Sequence, residues 1–337
     1  MKILVTGGLG YIGSHTVVAL QQEGHEVFVI DDLSNTTIQV KDNIESISGK
    51  EIQFTKLDLK DRDDVYDYFN RHSDIDGLIH FAASKAVNES IEDPLKYYEN
   101  NINTLVYLLK ACRKHDISNF IFSSSCTVYG EPDSLPITEG SPVKVATSPY
   151  GNSKQIGEEI LLDTSNAADF KVISLRYFNP IGAHESAAIG ELPVGVPQNL
   201  VPFITQTAAG IREQLLVFGD NYPTQDGSCI RDYIHVVDLA EAHVKALDRL
   251  LNNDSEDAFE IFNVGTGKGT SVLEIINAFE QTTGQKLNYK IVDRRPGDVM
   301  QIFADTTKAN EVLGWSARLS LQDCLTSAWK WEQNCRN

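Results

Sequence analysis

The chain is 337 residues long, with 42% hydrophobic and 23% charged residues, an ordinary globular balance with room for two domains or one domain and an appended lobe. Lys and Arg number 29 against 47 Asp and Glu, a net charge of −18. That excludes the broad basic surface that nucleic acids and anionic membranes require, and any anionic small molecule would need locally placed cations.

Lys2–Thr6 is a short β-branched and apolar run, the pattern of a buried strand. Gly7, Gly10 and Gly13 follow at G-x-x-G-x-x-G spacing. Apolar spacing from Tyr11 to Leu20 suits a helix that Gly24 ends, and Glu26–Ile30 is a second strand closing on Asp31. This is a βαβ unit with a glycine-rich first turn, in which the backbone approaches a pyrophosphate seated on a helix N-terminus. Three glycines alone would serve any turn. The strand before, the helix after and a carboxylate about 20 residues on complete the dinucleotide-binding context. Asp31 stands where a carboxylate accepts hydrogen bonds from an adenosine ribose diol. No Lys or Arg follows before Lys41, so a 2′-phosphate would meet Asp31 and Asp32 without a cation. The expected cofactor is NAD.

Strand–helix alternation continues. Ile52–Leu57 is a strand ending at Asp58, Arg62–Asn70 a helix, and Gly77–His80 a strand leading into Phe81, Ala82, Ala83, Ser84 and Lys85. Leu95–Lys114 reads as one long helix. Asn119–Phe122 opens a strand that ends in Ser123, Ser124 and Ser125. Pro149–Leu162 is helical, with its proline in the first turn, and Lys171–Tyr177 is a sixth strand. Repeated βα units with right-handed crossovers predict an α/β, Rossmann-type doubly wound parallel sheet, with ligands beyond the C-terminal strand ends.

After Asn179-Pro180 the texture changes, and residues 180–199 are rich in Gly, Pro and Ala. Leu200–Ala209 reads as a helix, Leu216–Phe218 and Arg231–Val236 as strands, and Leu239–Leu251 as a helix. Glu260–Val264, Ser271–Thr282 and Leu287–Asp293 give strand, helix, strand, and helices near Thr306–Leu313 and Ser320–Gln333 close the chain. The expected division is a dinucleotide-binding domain over 1–179 and a smaller α/β substrate lobe over 180–337. The two are partly interleaved, with 231–260 a candidate to return to the first domain. The run from Gly265 to Thr270 misses the G-x-x-x-x-G-K-[ST] spacing and reads as a strand-to-helix loop.

Tyr150 and Lys154 share one helix face at i and i+4. A phenol titrates near pH ~10 in water, too high for a base at neutral pH. An ammonium one turn away, with the positive end of a bound nicotinamide, would favour the phenolate. Tyr150 could then take the proton of a sugar hydroxyl while hydride leaves its carbon. Lys154 could also reach the nicotinamide ribose, and Ser125 could hold or relay the proton. The cysteines Cys112, Cys126, Cys229, Cys324 and Cys335 are scattered, which suits reduced thiols in a cytoplasm. No C-x-x-C or H-E-x-x-H occurs and the histidines do not cluster in sequence, so no metal site is expected. The first strand begins at residue 2 and no apolar run approaches ~18 residues, so neither a signal peptide nor a membrane span is expected.

GGLGYIG, SSSCTVYG, YGNSK, RYFNPIGAH, RDYIHVVDLA, FNVGTGKG and RRPGD together resemble the extended short-chain dehydrogenase/reductases that act on nucleotide sugars, and among them the 4-epimerases. The resemblance covers essentially the whole chain. It implies that Tyr11 and Ile12 line the cofactor pyrophosphate. Asp31, Asp32, Leu33, Ser34 and Asn35, with Asp58 and Leu59, would hold the adenosine end. Phe81, Ala82, Ala83, Ser84, Lys85, Asn100 and Ser123 would position the nicotinamide half, with Lys85 on the pyrophosphate and Phe178 bordering the nicotinamide. Asn179, Asn199, Leu200, Leu216, Phe218, Arg231, Arg295 and Asp298 would hold the UDP-sugar. In the family, the position matching Ile302 faces the C2 substituent of the sugar.

Relatives that dehydrate a hexose carry an Asp-Glu pair just after the serine strand end, and Cys126 and Thr127 stand there instead. Decarboxylating relatives also place an acid near that point. The resemblance therefore implies C4 oxidation by NAD, rotation of the 4-ketose and re-reduction, interconverting UDP-galactose and UDP-glucose. The alternatives are a 4-epimerase of another UDP-sugar, such as UDP-GlcNAc or UDP-glucuronate, and a non-catalytic NAD-sensing protein. The resemblance also implies a homodimer through a helix pair, with Leu95–Lys114 and Pro149–Leu162 as candidates.

Overall fold

The computed structural model describes residues 1–295 and 298–335. The strands, in chain order, are β1 (Lys2–Thr6), β2 (Glu26–Asp31), β3 (Gln53–Lys56), β4 (Gly77–His80), β5 (Asn119–Ser125), β6 (Lys171–Tyr177), β7 (Asn179–Ile181), β8 (Leu215–Phe218), β9 (Ile230–His235), β10 (Phe259–Val264), β11 (Gly269–Ser271), β12 (Tyr289–Val292) and β13 (Gln301–Ile302). The helices are α1 (Tyr11–Gln22), α2 (Gln39–Ser48), α3 (Arg62–Arg71), α4 (Val87–Glu92), α5 (Pro94–Tyr98), α6 (Thr104–Lys114), α7 (Pro149–Ala167), α8 (Leu200–Ala208), α9 (Val236–Leu251), α10 (Val272–Thr283), α11 (Thr307–Val312) and α12 (Leu321–Asn334).

Strands β1 and β4 lie inside the main sheet with nearly every residue buried, which is why their sequences are continuous apolar runs rather than alternating ones. The sheet has seven strands in the order β10-β6-β5-β4-β1-β2-β3, and every pair in it is parallel. The order reverses between β1 and β4, the place where a doubly wound sheet opens a crevice beyond its strand ends. One face is covered by a core that includes Val17, Leu20, Leu239 and Leu247, and α1 packs against α9 there. The other face carries Val65, Phe69, Leu105 and Leu161 from α3, α6 and α7.

The rest of the chain builds a smaller unit around β9. Strands β7 and β13 pair along one edge of β9 in parallel and β11 pairs with it antiparallel. Strands β8 and β12 form a separate parallel pair. Helices α8, α10 and α12 bury Ile204, Ile276 and Leu325 in a third core. Within the 231–260 stretch, β9 stays in the second sheet, while α9 packs on α1 and β10 extends the first sheet beside β6.

The expected single helix from Leu95 to Lys114 is helical throughout but not uniform. A π-helical segment, Glu99–Asn103, separates α5 from α6. Its wider turn comes where Asn100 and Asn101 bond the loop after β4. The periodicity also left out α2, whose one buried residue is Ile44 and whose other positions face outward or half-outward. Strands β7, β11 and β13 are three residues or shorter and exist only as partners of β9.

Candidate active site

The glycine-rich turn is built for close approach. Gly7 has φ +70°, and a Cβ there would lie 2.7 Å from the Ala82 backbone nitrogen. A Cβ on Gly13 would lie 2.2 Å from the Gly7 carbonyl oxygen. Both positions therefore require glycine, and Gly10 stands at the N-cap of α1. The turn is braced from behind by Asp31, whose two carboxylate oxygens accept the Leu9 N–H at 3.1 Å and the Leu33 N–H at 3.0 Å. Burial pushes the Asp31 carboxyl above the usual carboxylate range. Asp32 accepts from the Ser34 N–H and hydroxyl, while Asn35 is exposed. Asp58 accepts the Lys60 N–H at 2.9 Å, and Leu59 is buried beside it. Tyr11 donates its hydroxyl to the Gly182 carbonyl at 2.7 Å, tying the turn to the second unit.

Across the crevice, the loop Phe81–Lys85 continues from β4. Phe81 packs on the ring of His243. The Ser84 N–H donates to Asn101 Oδ1 at 2.8 Å, and Asn100 Nδ2 donates to the Ser84 hydroxyl at 3.1 Å. Lys85 turns to Glu191 at 3.4 Å and keeps half of its side chain exposed.

Helix α7 starts at Pro149 with Ser148 as its N-cap, the Ser148 hydroxyl accepting the Gly151 N–H at 3.1 Å. This sets Tyr150 in the first turn, beside Ser125 at the C-terminal end of β5. Lys154, one turn on, donates from Nζ to the Ser123 carbonyl at 2.6 Å, and its ammonium lies 5.9 Å from the Tyr150 ring centroid. Burial pushes the Tyr150 phenol up to about 12, and the Ser125 hydroxyl pulls the other way. Burial lowers the Lys154 ammonium to about 8. The expected lowering of the phenol is therefore not a property of the chain by itself. Desolvation outweighs the Ser125 hydrogen bond.

The second unit closes the far side. Register places Asn179 beside Tyr233 and Ile302 beside Arg231 along one edge of β9. Ile302 is buried in a cluster with Cys126, Phe178 and Ala304, so the residue expected to sense the sugar shares one buried cluster with the one expected to border the nicotinamide. Arg231 and Arg295 flank Asp298 at 4.0 Å and 2.7 Å. Leu216 and Phe218, on the exposed face of β8, complete this wall, with the Arg295 guanidinium 5.4 Å from the Phe218 ring centroid. Asn199 is the N-cap of α8, ahead of Leu200, and donates to Glu191 at 2.6 Å. Pro296 and Gly297 of the RRPGD motif lie outside the described residues.

A family model described as GDP-mannose 4,6 dehydratase matches residues 4–328. A UDP-glucose 4-epimerase from Bacillus subtilis is 49% identical over 99% of this chain and 97% of its own. The chain belongs to the UDP-glucose 4-epimerase family. Among solved structures, the UDP-glucose 4-epimerase of Stenotrophomonas maltophila, with bound NAD and formylated UDP-arabinopyranose, matches with a TM-score of 0.96 at 45% identity, covering 100% of this chain and 99% of that one. The enzyme from Bifidobacterium longum in complex with NAD+ and UDP matches with a TM-score of 0.95 at 42% identity, again covering 100% and 99%. The dehydratase description does not carry over to the chemistry. Cys126 is a buried thiol pushed up to about 12, Thr127 is a hydroxyl, and neither supplies a carboxylic acid.

Three residues absent from the sequence reading hold the site together. Asn101 bridges the loop after β4 to α7, donating to the Ser84 carbonyl and the Ser153 hydroxyl at 3.0 Å each. Glu191 accepts from both Lys85 and Asn199. Glu158 lies one turn beyond Lys154 and is buried. Only Glu158 left a signal, a carboxylate continuing the i, i+4 spacing of Tyr150 and Lys154 on the buried face of α7.

Proposed function

We propose that this protein interconverts UDP-galactose and UDP-glucose with a tightly held NAD. The observation that carries the reading is the Tyr150, Lys154 and Ser125 group facing a glycine-lined crevice, with Cys126 and Thr127 rather than a carboxylic acid pair following Ser125. The chain fits NAD. Gly7 and Gly13 leave no space for a Cβ where the backbone must approach a pyrophosphate. The Asp31 oxygens keep lone pairs for a ribose diol, and the first cation after it, Lys41, is paired with Glu45 at 2.8 Å. When bound, NAD supplies the hydride acceptor and donor at C4. Leu33, Ser34, Asn35, Asp58 and Leu59 surround the adenosine end, and Asn100 and Lys85 the nicotinamide half and pyrophosphate.

Tyr150 takes the proton of the C4 hydroxyl and later returns it, with Ser125 holding that hydroxyl. Lys154, together with the positive charge a bound nicotinamide would supply, would oppose the desolvation that keeps the phenol protonated. Arg231 and Arg295 grip the diphosphate as charge-assisted donors once it displaces them from Asp298. Asn179, Asn199, Leu200, Leu216 and Phe218 line the nucleotide. A firm grip on UDP and a loose one on the hexose lets the 4-ketose turn its other face to the cofactor. Ile302, β-branched and intermediate in size, supports a preference for hexoses without an N-acetyl group at C2. The free buried thiols Cys112, Cys126, Cys229 and Cys324 suit a cytoplasmic setting.

A homodimer through α5–α6 and α7 is part of this reading. Leu95 is 77% exposed, and a shallow groove of about 470 Å³ is lined by Leu95, Tyr98, Ile102 and Ile156. Light scattering behind a sizing column should give twice the chain mass, and a monomer would remove this part.

The deciding assay gives purified protein UDP-galactose without added cofactor, follows UDP-glucose by chromatography and assays the denatured supernatant for NAD. Conversion, with about one NAD per chain, is the expected result. Bound NAD with no conversion would redirect the reading to another UDP-sugar. Neither conversion nor bound nucleotide, even after adding NAD, would favour a sensing protein.

A further inference from the structure

A buried ionic knot lies directly beneath the proton-handling pair. The Glu158 carboxylate on α7 accepts the Ser124 hydroxyl at 2.6 Å, the Ser174 hydroxyl at 2.8 Å and Arg176 Nε at 2.9 Å on one oxygen, and a second Arg176 nitrogen on the other. Glu158 and Arg176 are both buried. The Arg176 guanidinium covers the Tyr129 ring at 4.7 Å, and the Tyr129 hydroxyl donates to Asn263 at 2.6 Å. Three elements, α7, β5 and β6, therefore meet on one carboxylate.

Stability by itself does not call for this arrangement. Burying an ion pair costs several kcal/mol of desolvation per ion, and well-packed apolar replacements are often as stable. The position is informative instead. Ser124 sits between Ser123, whose carbonyl holds Lys154 Nζ, and Ser125. Tyr150, Lys154 and Glu158 follow one another at i, i+4 and i+8 on one helix face.

We propose that Glu158 is a positioning residue of the active site: it pins the helix carrying Tyr150 and Lys154 to the strand carrying Ser125, and places a negative charge one turn behind Lys154. This rests on the reading of Tyr150 and Lys154 as the proton-handling pair. The groups facing Lys154 leave Glu158 as the counter-charge. From α7 come the Tyr150 ring and Glu158, and from β5 the Phe122 ring at 4.9 Å and the Ser123 carbonyl. From β4 comes His80, which burial holds neutral, and from β6 comes Tyr177, hydrogen-bonded to the Ser123 hydroxyl. Glu158 opposes the burial that lowers the Lys154 ammonium.

The test compares the NAD-loaded wild type with Glu158→Gln and Ser124→Ala. It reads kcat, KM, the pH–rate profile and the 15Nζ titration of Lys154. Glu158→Gln should lower kcat by about tenfold or more with KM little changed, and move both the alkaline limb and the Lys154 midpoint down by about one pH unit. Ser124→Ala should cost about fivefold in kcat and leave the Lys154 midpoint in place. A folded Glu158→Gln protein with wild-type midpoint and pH profile overturns the proposal. If Glu158→Gln does not fold, Ser124→Ala decides, and wild-type kcat in it overturns the proposal. A wild type that turns over no UDP-sugar would sink the epimerase reading, and the Nζ midpoints would then decide this one alone.

Discussion

The two halves of the crevice are built on different principles. On the cofactor side the chain offers mostly backbone: the Gly7–Gly13 turn, the N-terminus of α1 and the loop Phe81–Lys85, each set by a strand that ends within a few residues of it. On the substrate side it offers side chains gathered from far apart in sequence, Arg231 on β9 itself and Asn179 and Ile302 on two short strands paired with it. The first half is rigid because a parallel ladder and a buried carboxylate, Asp31, hold it before any ligand arrives. The second half is held by polar groups satisfying one another, Arg231 and Arg295 on Asp298 and Asn199 on Glu191. A preformed cradle suits a cofactor that stays. Exchangeable ion pairs suit a nucleotide-sugar that comes and goes.

Substitutions sharpen this contrast. Tyr150→Phe, on the cofactor side, should keep its NAD and lose about 10²–10⁴-fold in turnover of UDP-galactose. Near-normal turnover would remove Tyr150 from its role. Gly7→Ala meets both a backbone clash and a positive φ, at a cost of about 1–3 kcal/mol for the φ alone. Its NAD content per chain, read on the denatured supernatant, should fall well below one, and full retention would mean the cradle is softer than its geometry.

Arg231→Ala should act differently. It removes a charge-assisted donor worth about 1.5–3 kcal/mol, so KM should rise by roughly tenfold to a hundredfold while NAD content stays at the wild-type level. A fall in bound NAD instead would break the division of labour between the halves. The smallest change is expected from Ile302→Gly. Turnover of UDP-GlcNAc should rise by about tenfold, the lower end of the roughly 1–3 kcal/mol of discrimination that one pocket side chain is worth. No gain would move the sugar gate to another residue.

The sheet was legible because its strands are short buried runs punctuated by glycine and carboxylate. The predicted β4 and β6 coincide with the observed strands, and β1 with the run before Gly7. Tyr150 and Lys154 were legible because a helix repeats its face every four residues. The π-helical turn at Glu99–Asn103 was not, since it depends on where Asn100 and Asn101 find Ser84, 16 or 17 residues away. Nor was the phenol's upward shift, because desolvation depends on what surrounds Tyr150 and not on what precedes or follows it.

The sequence by itself determined the periodic and local features. These are the parallel sheet, the glycine turn, the Tyr150–Lys154 spacing and, through motif resemblance, the family. Hydrophobic period, turn chemistry and helix pitch act over a handful of residues, so they can be read along the chain. Only the tertiary structure decided which distant groups share a charge or an edge. It brought Glu158 to Ser124 and Arg176, Glu191 to Lys85 and Asn199, and Ile302 to Arg231 and Phe178. Pairing energy and desolvation act through space, and in this chain the crossing strands set those distances.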